Sequence, residues 1–71
     1  MSIPLIVDTN IWVVMQPYIG GTPTFGLTAA LQQALHLHVR NQPILALRRL
    51  DSDVRLELSE IRELWAVHGM T

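Results

Sequence analysis

The chain has 71 residues, 49% of them apolar, and a formal net charge of −1. That length supports one small domain or a truncated one, and a domain near this size hides only about 60% of the surface its unfolded chain exposes. No cysteine is present, which excludes disulfides and thiolate zinc sites as staples and leaves oligomerisation or docking on a larger partner as the remaining support. All five basic residues are arginines between positions 40 and 62, a distribution short of the strongly basic domain that nucleic-acid binding usually shows. Pro17, Gly20, Gly21, Pro23 and Gly26 interrupt the longest uncharged stretch, so no membrane span is expected. With no charged leader before an apolar run, the expectation is a soluble cytoplasmic chain.

Leu5-Ile6-Val7 is a short continuous apolar run that reads as a strand buried on both faces. Asp8 ends it, a carboxylate placed where a strand leaves the core. Asn10 can cap a short helix through Ile11–Met15, although the β-branched residues there leave an extended continuation open. Pro17 and Gly20-Gly21 close that element. Thr22 and Pro23 then read as N-cap and first residue of a helix whose buried face is Leu27, Ala30, Leu31, Ala34 and Leu35.

Residues 35–40 switch to period two, which predicts a frayed helix end or a short extended piece, and Asn41-Gln42-Pro43 punctuates the chain. Ile44–Leu50 fits a short helix or a buried strand. Val54–Leu58 alternates as a strand with one wet face. Ser59 caps a final helix with Ile61, Leu64, Trp65 and His68 on one stripe, ending at Gly69. The resulting expectation is a small α/β layer with short parallel strands joined by a right-handed crossover, and three helices. Ligand sites in such layers lie beyond the carboxyl ends of the strands, where Asp8 and the pair Glu60 and Glu63 would meet.

The segment Leu5-Ile6-Val7-Asp8-Thr9-Asn10-Ile11-Trp12-Val13 resembles the opening of a PIN domain, the metal-dependent ribonuclease fold of many bacterial toxins. Gly20-Gly21-Thr22-Pro23 with its Leu/Ala helix, and Val54–Trp65, are similar to later elements of that family. The resemblance implies a Mg²⁺ or Mn²⁺ site in which a metal-activated water attacks a phosphodiester of RNA. Asp8 and Glu60 would be metal ligands, with Glu63 as a further acid, and Thr9 and Asn10 would orient substrate. A PIN domain is nearly twice as long and carries its remaining acids in a C-terminal half with no counterpart here, so the resemblance implies nuclease descent without a full metal site.

Bland readings stand beside these. Asp8 can cap the following turn, and Glu60 and Glu63 suit the first turns of any helix. His36 and His38 would share a side if extended, as paired metal ligands do, but no third ligand is apparent. Trp12 and Trp65 read as core or interface anchors. Arg48, Arg49 and Arg55 suit an anionic partner or surface ion pairs. Two non-enzymatic readings follow: a small regulatory protein of phage or plasmid type that docks on a larger protein, and a winged-helix module with Pro43–Leu50 as its recognition helix.

Overall fold

The computed structural model describes residues 10–18 and 20–70. Their element order is β1 (Ile11–Met15), β2 (Pro23–Phe25), α1 (Leu27–Val39), β3 (Ala46–Arg49), β4 (Arg55–Glu57) and α2 (Leu58–Val67). The strands form one sheet in the order β2-β1-β3-β4, and all three pairings are antiparallel. The chain is a small α/β fold, but the expected parallel strands and third helix are not what the described residues form. Two hairpins are each followed by a helix, and the first strands of the two hairpins pair at the centre.

Ile11–Met15 is a strand, not the short helix that Asn10 would have capped. Four of its five residues are β-branched or aromatic, types that lose χ1 freedom in a helix and pack well on a pleated sheet. Pro23 opens an edge strand instead of a helix. The first residue of an edge strand tolerates the missing N–H as well as a first helical position does. Within Ile44–Leu50, Ala46–Arg49 forms β3, one of the two central strands, so the segment is not the recognition helix of the winged-helix reading. Leu5–Val7, Asp8 and Thr9 lie outside the described residues.

Helix α1 begins after Gly26 and runs through His36 and His38 to Val39, so the predicted extended piece at 35–40 is helical. It ends where Asn41, with φ 60°, lets its own amide bond the carbonyl of His38 and the Gln42 amide bond that of Leu37. Helix α2 ends the same way, with Gly69 bonding Ala66 and Met70 bonding Trp65. Both are Schellman terminations, which satisfy carbonyls that a helix end leaves open. At its start α2 is capped by Glu57, not Ser59: the Glu57 and Glu60 side chains form a reciprocal capping box, which satisfies two orphan amides.

Both helices pack on one face. Trp12 and Val14 of β1, Leu47 of β3 and Leu56 of β4 meet Leu27, Ala30, Leu31 and Ala34 of α1 and Ile61, Leu64 and Trp65 of α2. Burial of each large aliphatic side chain there contributes roughly 1.5–3 kcal/mol. Gly21 closes the first hairpin against β1 so tightly that a Cβ would overlap the Val14 backbone. The Trp65 indole donates to the Leu31 carbonyl at 2.9 Å, tying α2 to α1. The equally buried Trp12 has no partner for its Nε1 among the described residues.

That contrast gives a prediction. Trp65→Phe loses ring volume and a hydrogen bond, whereas Trp12→Phe loses ring volume and relieves an unsatisfied donor. Urea denaturation should show Trp65→Phe more destabilising than Trp12→Phe by about 1–3 kcal/mol.

Candidate functional site

Of the acids and polar residues suggested by the sequence, Asp8 and Thr9 lie outside the described residues, and the described fold does not bring Asn10 to Glu60 or Glu63. The Leu50 amide bonds the Ile11 carbonyl, so Asn10 sits at the end of the sheet where β1 begins. There Asn10, Ile11, Leu50 and Asp51 line a hollow of about 300 Å³. Glu57 pairs with Ala46, which pairs with Met15, so the start of α2 lies at the other end, roughly 15 Å away along β1. Glu60 accepts there from the Glu57 amide, while Glu63, on the next turn, is exposed. Among the described residues no three His, Cys, Asp or Glu side chains converge as a metal ion needs. Glu60 and Glu63 alone do not fit Mg²⁺ or Mn²⁺, which take several oxygen ligands.

The histidines are likewise separated. On a helix, residues two apart do not face one another: His36 contacts Arg40, and His38 lies tilted on the Trp65 ring with centroids 5.2 Å apart.

The arginines are sorted by the pleat, since successive strand residues point to opposite faces. Arg49 falls on the helix side, opposite Trp12. It grips Asp51 through Nε and Nη2 at 2.9 and 3.0 Å. This bond outweighs the opposing effect of desolvation and, helped by the attraction of the guanidinium charge, holds the Asp51 carboxyl below its ordinary value of 3.8.

Arg48 and Arg55 fall on the other face, directly opposite each other across β3 and β4. The neighbouring bond from the Arg49 amide to the Val54 carbonyl makes Arg48 and Arg55 a non-hydrogen-bonded pair, the closer kind, with Cα atoms about 4.5 Å apart. Arg55 has Glu57 at 3.0 Å, both half exposed, and such a pair contributes little. Arg48 is exposed and has no ion-pair partner among the described residues.

The register completes this helix-free face. One row runs Pro23, Val13, Arg48, Arg55, and Phe25 lies beside Ile11 in the next. Val13 and Ala46 are buried at 8% and 0% exposure, whereas Phe25 is 76% exposed. The face therefore presents an aromatic edge on β2 and two guanidinium groups on β3 and β4. The sequence pointed to Arg48, Arg49 and Arg55 but not to Phe25, whose exposure depends on a pairing that no local signal reveals.

Comparison of the chain with protein-family models, with curated proteins and with solved structures found no match. No helix among the described residues is long and apolar enough to cross a membrane.

Two outcomes follow. Like charges directly opposite on a sheet are destabilising, so Arg48→Glu, which pairs a carboxylate with Arg55, should raise the unfolding midpoint by an amount equivalent to about 0.2–1 kcal/mol. For Asp51 the folded carboxyl titrates below the unfolded one. The pair's contribution is therefore present above about pH 4 and lost as pH falls through the folded value. An NMR titration should place Asp51 below the ordinary aspartate value, and Arg49→Gln should raise it toward that value.

Proposed function

We propose that this chain is a small non-enzymatic interaction module that docks on a larger anionic partner through the helix-free face of its sheet. The observation that carries the reading is the Arg48 and Arg55 pair. Two like charges are held face to face at a cost in stability, and among the described residues of that face Glu57 is the one acid beside them. An anion seated between the two guanidinium groups removes their repulsion and accepts charge-assisted hydrogen bonds. This fits a chain rich in apolar residues and poor in converging acids.

Heparin, a generic polyanion, tests the surface. Titration into ¹⁵N-labelled protein should move the amides of Val13, Arg48 and Arg55 most and those of α1 least, and added salt should reverse the effect. Shifts confined to α2, or none at low salt, would overturn the reading.

A second reading keeps the nuclease descent. Its support is the segment Val7-Asp8-Thr9-Asn10-Ile11-Trp12, the part of the sequence that resembles a PIN domain. Cleavage of RNA on addition of Mn²⁺, lost in Asp8→Asn, would establish it. Equal inertness of both proteins would end it.

A further inference from the structure

We draw no further inference here: the strongest candidate, the surface groove beside the α1–β3 connection whose two hollows share Gln42 and Pro43 and reach Tyr18 on one side and His38 and Leu58 on the other, carries nothing because nothing in the structure shows what covers it.

Discussion

Two helices share one side of a four-stranded sheet, and this one-sided cover decides the fate of every strand residue. Trp12, Val14, Leu47 and Leu56 alternate toward the helices and join one core. Their immediate neighbours are turned away by the pleat. A one-residue slip would exchange the two sets, turning Trp12 out of the core in β1 or replacing Leu47 by Arg48 on the helix side in β3, so the register of β1 against β3 is held by the apolar residues of that face. The Trp65 bond to the Leu31 carbonyl then fixes how the two helices sit on that platform.

Much of this was legible locally. The Leu27, Ala30, Leu31, Ala34 face of α1 and the Ile61, Leu64, Trp65 stripe of α2 are 3.6-residue patterns, and both are buried as their spacing predicts. Gly69 ends α2 where the sequence placed the end. What escaped is non-local or periodless. Five successive apolar residues from Ile11 to Met15 carry no alternation to separate helix from strand, and antiparallel pairing with β3 depends on residues more than thirty positions away. Pro23 and Ser59 mislead for a shared reason: the residue types that open helices also suit strand starts and first turns.

The candidate site shows the same division. Arg48 and Arg49 are adjacent in sequence and so read as one basic patch, yet a strand separates them completely. One becomes half of an exposed guanidinium pair; the other is absorbed by Asp51 at a turn. Phe25 enters the surface only because β2 pairs with β1. Glu60 is committed to the capping box that starts α2, a local role that explains an acid at that position without any ligand.

The central pairing of the sheet is also its most distant in sequence. Each hairpin and each helix closes over a short contour, whereas joining β1 to β3 requires the chain to loop across the whole of β2 and α1 before any reward is collected. Loop closure of that kind raises the entropic barrier to folding. The β1–β3 seam, where Trp12 and Leu47 meet, is therefore the pairing expected to close last.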